Sequence, residues 1–215
     1  MAKAFLFDLN GTMIDDMNYH VAAWHKLLND MGANISMERM KEECYGKANE
    51  LIERIFPGRF SEAERDAIGD QKEAVYREEF RPYLQLLPGL REVLENAYES
   101  GIKMAIGSAA IMANIDFVLD GLNIRHYFST IVSADDVINS KPDPETYLKC
   151  AAKLNMHPSD CIVFEDVPKG VESAARAGMP SVVITLLHSK EEFSEFKNVI
   201  GFMNDYSEMV ISEMV

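Results

Sequence analysis

Near the N-terminus the apolar run Phe5-Leu6-Phe7 ends on Asp8, and Leu9-Asn10-Gly11-Thr12 follows. A buried strand that delivers a carboxylate into a glycine turn is one way to hold a reactive oxygen at the rim of a sheet. Three later apolar runs also lead to groups with chemistry: Ser108 follows KMAIG, Lys141 lies in SKPDPETY beyond TIVS, and Glu165-Asp166 close CIVFED. A carboxylate, a hydroxyl, an ammonium and an acidic pair suit phosphoryl transfer. Asp8 can attack phosphorus and carry an aspartyl phosphate, which splits the reaction in two. A hard cation such as Mg²⁺ takes oxygen ligands, which Asp8, Asp166 and a backbone carbonyl would supply. Ser108, close to a helix N-terminus, can hydrogen-bond a phosphate oxygen, and Lys141 offsets phosphoryl charge. Taken singly, each has an ordinary reading: a turn aspartate, a helix N-cap, a solvated lysine, an acidic helix start. Their ordered arrival at successive strand ends argues for one site, because ligands of open α/β sheets bind beyond the carboxyl ends of the strands.

The elements that must position these groups follow from the hydrophobic pattern. Short apolar runs at 3–8, 103–107, 130–133, 161–165 and 181–185 read as strands buried on both faces. Amphipathic stretches at 89–100, 112–121, 144–154 and 169–177 read as helices between them, with Gly101, Gly121 and Gly178 at their C-termini. The alternation predicts an α/β fold with a doubly wound parallel sheet. One segment breaks it. From Asp15 to Arg81 there are only helical patterns, HVAAWHKLLNDMG, ANELIERIF and SEAERDAIGDQKEAVYREEF, with 15 acidic and 10 basic side chains. The expected organisation is a core of residues 1–14 and 82–215, with an all-helical cap of residues 15–81 inserted after the first strand. A strand, a turn and a helix are expected to finish the chain in FMNDYSEMVISEMV.

Composition narrows the partners. With 215 residues, of which 47% are hydrophobic, the chain can bury a sizeable core. A net charge of −14 argues against a nucleic-acid role. That charge also makes an anionic substrate hard to hold without a metal ion or local lysines. Cys44, Cys150 and Cys161 are sparse and unpaired in spacing, and read as buried thiols of a reducing compartment. The N-terminal apolar run is too short for a signal peptide or a membrane span. A cytoplasmic monomer acting on a small phosphorylated metabolite, with no membrane partner, is expected.

The ordered set of D-x-N-G-T, then Ser108, then Lys141-Pro142, then Glu165-Asp166 resembles the haloacid dehalogenase superfamily. A cap just after the first motif resembles its helical-cap subclass, and within it the β-phosphoglucomutase-like group of phosphatases and mutases. The resemblance covers the chain from Phe5 to Thr185. It implies a Rossmann-like core, Asp8 as nucleophile, and Mg²⁺ held by Asp8, the Asn10 carbonyl and Asp166, with Glu165 as a second, water-mediated partner. It implies phosphate held by Ser108 and Lys141, with Gly11, Thr12 and Ala109 lining the same turns. In the cap, His20 of YHVAAW matches the group's substrate-facing histidine, Trp24 its packing tryptophan, and Lys72 of QKEAVY its cap lysine. The dehalogenase chemistry that names the superfamily needs no metal, and the Glu165-Asp166 pair speaks against it.

This sequence departs from the sugar mutase at three positions. Asn49 stands where the mutase carries an arginine for the distal phosphate, and Ala110 and Ile111 stand where it carries a serine and a lysine. Hydrogen bonds to charged groups contribute roughly 1.5–3 kcal/mol each, so bisphosphate binding should be weak, with Lys47 a partial substitute. A phosphatase is the expected activity, with a mutase as the alternative and a phosphate-binding protein without turnover as a second one.

Asn10 is the sharpest departure, because the family's acid/base aspartate belongs there. Its backbone carbonyl serves a metal equally well, but its side chain cannot move a proton. General acid–base catalysis is worth roughly 10²–10⁴-fold. Three accounts stand open: an aspartate deliberately replaced, an enzyme for good leaving groups such as acyl phosphates or pyrophosphate, or a stand-in carboxylate. Asp16 is the candidate stand-in, although the N-cap of the first cap helix is its more ordinary role. Asp15 matches an aspartate common in the family and explains nothing new.

Overall fold

In the computed structural model, which describes residues 2–211, the chain divides into two compact units, Met1–Asp15 with Gln85–Val215, and Asp16–Leu84. The first unit is built on strands β1 (Ala4–Phe7), β2 (Lys103–Gly107), β3 (Thr130–Val132), β4 (Cys161–Glu165), β5 (Ser181–Ile184) and β6 (Val199–Met203). They form one sheet in the order β3-β2-β1-β4-β5-β6, and every neighbouring pair is parallel. The second unit holds helices α1 (Met17–Asp30), α2 (Met37–Glu43), α3 (Ala48–Ile55) and α4 (Glu62–Phe80). Helices α5 (Leu90–Glu99), α6 (Met112–Gly121), α7 (Glu145–Leu154) and α8 (Pro168–Arg176) return to the first.

Strand β1 lies inside the sheet, and all four of its residues are buried. That explains its unbroken apolar run, since a strand covered on both faces has no solvent side to make polar. Phe7 stacks on Phe164 of β4 with ring centroids 4.6 Å apart. On one face Leu6, Ala105, Val132 and Val163 pack with Tyr147, Cys150, Ala151 and Leu154 of α7 and with Ala174 of α8. Helix α4 carries a capping box in which Ser61 and Glu64 satisfy each other's ends, and helix α3 begins with Glu50 accepting from the Lys47 N–H at 2.9 Å. The helical unit has its own core of Val21, Trp24, Leu28, Met40, Leu51, Ile52 and Phe56, so Trp24 packs as expected.

Four details differ from the sequence reading. The units part after Asp15 and after Leu84 rather than at 14/15 and 81/82, because a 3₁₀ turn over Arg81–Tyr83 prolongs α4. Gly121 is still helical, and Asn123 takes the left-handed conformation beyond it at φ 53°, whereas Gly101 and Gly178 have positive φ as expected. Helix α2 and most of β6 were not foreseen: MERMKEE is short and charged, and β6 is a half-exposed edge strand that contains Gly201 and shifts register against β5 between Ser181 and Val182. No α-helix follows β6 among the described residues, which end at 211; the remainder of the expected C-terminal helix, residues 212–215, lies outside the described residues. No described helix is long and apolar enough to cross a membrane.

Candidate functional site

Strand register brings the site together. Phe7 pairs with Ile106 on one side and Phe164 on the other. The residues that follow, Asp8, Gly107 and Glu165, therefore reach the carboxyl edge at one level. The Asp8 N–H donates to the Phe164 carbonyl at 3.0 Å and the Ser108 N–H to the Val132 carbonyl at 3.0 Å, so both strands stay in register for one residue beyond their ends. Gly11, at φ 73°, turns the chain with its N–H on the Ile14 carbonyl at 2.9 Å. Positive φ at this point favours glycine.

Lys141 joins Asp8 and Glu165 from the loop before α7. That loop is pinned by a turn from Ser140 to Asp143 and by Ser173 of α8, whose hydroxyl donates to the Asp143 carbonyl at 2.7 Å. The buried ammonium has three acceptors: Asp8 Oδ1 at 2.7 Å, Glu165 Oε1 at 2.6 Å and the Gly107 carbonyl at 3.0 Å. An ammonium has three protons, so its donors are used up. Burial works to lower this group, but the Asp8 and Glu165 carboxylates outweigh it and hold the ammonium above its ordinary range.

Glu165 is fully buried and accepts from four donors. Oε1 takes Lys141 and the Tyr147 hydroxyl, each at 2.6 Å, and Oε2 takes the N–H groups of Asp166 and Val167 at 3.0 and 3.3 Å. Gly170, in the first turn of α8, makes room for it, since a Cβ there would lie 1.8 Å from Glu165 Oε1. Asp166 differs. Its Oδ1 accepts from the Thr12 hydroxyl at 3.1 Å, whereas Oδ2 is buried without a hydrogen-bond partner among the described residues.

Asp8, Glu165 and Asp166 each offer a carboxylate oxygen within 4.8 Å of the others. One ammonium faces these three acids. Burial pushes Asp8 up to about 7 against the pull of Lys141, and it pushes Asp166 well above the carboxylate range, with Glu165 and Asp8 adding to the rise. Three hard oxygen donors, excess acid and an unpartnered carboxylate oxygen fit a divalent cation such as Mg²⁺. Asp8, Lys141 and Asp166, far apart in sequence, thus lie together. Ser108 is buried directly after Gly107, whose carbonyl Lys141 takes, and its Oγ accepts from the Ala110 N–H at 3.2 Å. It does not cap α6, because Ile111 holds that position and Asp135 Oδ2 takes the Met112 N–H at 3.1 Å. Ala109 is half-buried next to it, as is Asn10 after Asp8.

The other candidates belong to the helical unit. His20 and Lys72 are buried there in a second polar cluster. The Lys72 ammonium lies 2.5 Å from His20 Nδ1 and donates to Glu73 Oε1 at 2.9 Å. His20 Nε2 faces Asp16 Oδ2 at 3.3 Å, and the Tyr76 hydroxyl donates to the same oxygen. An imidazole that accepts at Nδ1 and donates from Nε2–H satisfies both neighbours. Asp16 occupies the N-cap position of α1 but makes no side-chain cap, because its carboxylate is drawn to Tyr76 and His20. Asp15 is exposed, and Lys47 is half-buried at the start of α3. Cys150 and Cys161 are buried and Cys44 is partly buried, and all three thiols are free. Burial raises each of them.

Sequence reasoning missed Tyr147, Gly170 and Tyr206. Tyr147 sat in view at the end of PDPETY, but nothing local marks it as a donor to Glu165. Tyr206 is buried and donates to the Thr12 carbonyl at 3.1 Å, from the far end of the chain.

The fold is an α/β fold that gathers three carboxylates and an ammonium at the carboxyl edge of a parallel sheet. Residues 5–184 match the model of the haloacid dehalogenase-like hydrolases, and the chain belongs to that family. It is 30% identical over 182 residues, 85% of this chain and 96% of the relative, to a fructose-1-phosphate phosphatase, YqaB, of Escherichia coli. It is 32% identical over 191 residues, 84% of this chain and 82% of the relative, to the β-phosphoglucomutase of Bacillus subtilis. A crystal structure of β-phosphoglucomutase from Clostridium difficile superposes with a TM-score of 0.87 at 28% identity, over 100% of this chain and 96% of that one.

Proposed function

We propose that the chain is a Mg²⁺-dependent phosphatase of small phosphorylated metabolites, sugar phosphates foremost, acting through an aspartyl phosphate on Asp8. The observation that carries this reading is the buried set of Asp8, Glu165 and Asp166 with Lys141 bonded to Asp8 and Glu165. Asp8, Asp166 and the Asn10 carbonyl would hold the cation, and Glu165, its oxygens taken by four donors, would act through a water. When bound, the cation supplies the positive charge that lets an anionic phosphate approach an anionic carboxylate. Lys141 holds Asp8 Oδ1, which turns Oδ2 into the attacking atom. The Ser108 hydroxyl, with the N–H groups of Gly11, Thr12 and Ala109, would bind phosphoryl oxygens, and Lys141 would offset the charge that develops there. As Asp8 bonds to phosphorus, the substrate's oxygen leaves with its electron pair; water then attacks phosphorus, its proton passes to solvent, the Asp8–phosphorus bond breaks to return the carboxylate, and phosphate is released. The helical unit, residues 15–81 in the sequence reading, would act as a cap that excludes bulk water, and His20, Lys47 and Lys72 are its candidate substrate contacts. A cytoplasmic, monomeric enzyme is part of the same reading, which the three free thiols support.

Asn10 cannot protonate a leaving oxygen, so the reading favours substrates whose leaving groups depart without help. Phosphate release from acetyl phosphate, p-nitrophenyl phosphate and hexose phosphates, measured on this chain and on Asn10→Asp, tests it. Steady turnover of the activated substrates, with a gain of roughly 10²–10⁴-fold on alkyl phosphates in the variant, is the expected result. Absence of turnover in both would leave a phosphate-binding protein. A mutase is the second reading, favoured by the likeness to β-phosphoglucomutases and opposed by Asn49, Ala110 and Ile111. Conversion of β-glucose 1-phosphate to glucose 6-phosphate without net phosphate release would establish it.

A further inference from the structure

Tyr206 lies more than a hundred residues after the strand end it touches, and it carries none of the family's motif. Its ring is buried against the two strands that deliver the carboxylates, 6.4 Å from Phe7 and 5.9 Å from Phe164 between centroids. Its two donors go to two different segments. The hydroxyl donates to the Thr12 carbonyl at 3.1 Å, on the stretch that leaves the sheet unit, and the N–H donates to the Pro88 carbonyl at 2.9 Å, on the stretch that returns. These stretches are also tied directly, by the Leu87 N–H on the Met13 carbonyl at 2.8 Å. Close packing fixes the arrangement: a Cβ on Gly89 would lie 2.5 Å from the Tyr206 carbonyl carbon.

Thr12 is the next link. Its carbonyl is held by Tyr206, and its hydroxyl holds Asp166 Oδ1 at 3.1 Å, which leaves Oδ2 as the carboxylate oxygen without a partner among the described residues. We propose that Tyr206 is a positioning residue of the cation site: it fixes the Thr12 peptide so that the Thr12 hydroxyl turns Asp166 to present Oδ2 to a divalent cation. The inference rests on the reading of Asp8 and Asp166 as cation ligands and adds a residue that acts on them through Thr12. The same peptide is tied on its other side by the Met13 N–H on the Leu9 carbonyl at 2.8 Å, so without the tyrosine hydroxyl it loses one of two anchors and its orientation loosens. The threonine hydroxyl then drifts, and Asp166 samples orientations that bind metal less well. Partners that orient metal ligands typically matter 10–100-fold in affinity, and one link further out the expected effect is about 3- to 10-fold.

The test is Mn²⁺ binding by the full chain, followed through the electron paramagnetic resonance signal of free Mn²⁺, for the unaltered protein, Tyr206→Phe, Thr12→Val and the double variant. Thermal melts of the metal-free proteins report folding separately. Phenylalanine keeps the ring packing, and Thr12→Val leaves Tyr206 in place, so each probes the relay without removing the other side chain. One Mn²⁺ per chain is expected for the unaltered protein. A dissociation constant about 3- to 10-fold higher is expected for Tyr206→Phe, at least as high for Thr12→Val, and no higher still for the double variant, since the two act in series. A tyrosine that only fills the core would lower the melting temperature of Tyr206→Phe and leave Mn²⁺ affinity unchanged, which overturns the proposal. Unchanged affinity in Thr12→Val breaks the relay whatever the fate of the tyrosine variant. Failure of the unaltered protein to bind Mn²⁺ would instead remove the cation site itself.

Discussion

Two buried clusters of ionisable groups lie in this chain, one in each unit, and they are balanced differently. In the helical unit Asp16, His20, Lys72, Glu73 and Tyr76 meet one another donor to acceptor, and His20 stacks on Tyr76 at 3.8 Å. In the sheet unit three carboxylates face one ammonium, and Asp166 keeps a buried oxygen without a partner among the described residues. Both clusters are buried and both are charged, so neither property marks a binding site. The excess of carboxylate does: three acids whose oxygens lie within 4.8 Å of one another share one ammonium, and such an open set calls for a ligand that can offset it.

The largest expected effect breaks the open set. Asp8→Asn removes the proposed nucleophile, and phosphate release should fall by at least about 10⁴-fold; turnover within tenfold of the unaltered protein would end the aspartyl-phosphate reading. Next comes the helical cluster. Asp16→Ala removes the carboxylate that Tyr76 and His20 share, at about 3 kcal/mol, so the melting temperature should drop by roughly 6–12 °C. A silent change there would mean that this carboxylate does not stabilise the unit.

Metal and pH sharpen the contrast. Asp8 rises from 3.8 to about 7 in the metal-free fold. A raised carboxylate contributes stability that is full below its unfolded value and lost as pH rises through its folded one. Asp166 is shifted in the same direction by burial. Metal-free protein should therefore lose stability between about pH 4 and 7 from these groups. Mg²⁺ competes with protons for the same oxygens. At a hundredfold excess over its dissociation constant it should raise the melting temperature by roughly 5–10 °C at pH 8, and by clearly less at pH 5. Equal shifts at both pH values would separate Mg²⁺ from this site. The smallest effect has the opposite sign to that of Asp16→Ala: Asp166→Asn without metal removes the cost of burying a carboxylate or protonating it, yet keeps an acceptor for Thr12. Calorimetry should find it stabilised by about 1 kcal/mol.

The sheet and its reactive rim were legible because their signals are local. Apolar runs four or five residues long, each ending on a polar group, name both the strand and what it delivers. Edge strand β6 was hidden by its half-exposed pattern and Gly201, and α2 by its shortness. What could not be read were roles conferred by distant partners. Asp16 has the type and position of an N-cap, yet Tyr76, sixty residues later, takes its carboxylate. Glu165 reads as a water-mediated metal partner, and the sequence does not show that Lys141, Tyr147 and two backbone amides claim its oxygens. In each case residue type was informative about charge, and only the fold could say who meets it.

The sheet order has a consequence for how the chain comes into being. Ala4 pairs with Lys103 and with Cys161, and nothing nearer in sequence joins its strand. During synthesis the first strand must therefore wait, apolar and unpaired, while the helical segment emerges and can fold on its own core. Contacts of such long sequence separation form slowly. Asp8 is made before every partner that surrounds it, and those surroundings are complete only after Asp166 has emerged and β4 has docked. The acid cluster is thus assembled late, and a nascent or truncated chain ending before β4 lacks Glu165 and Asp166 altogether.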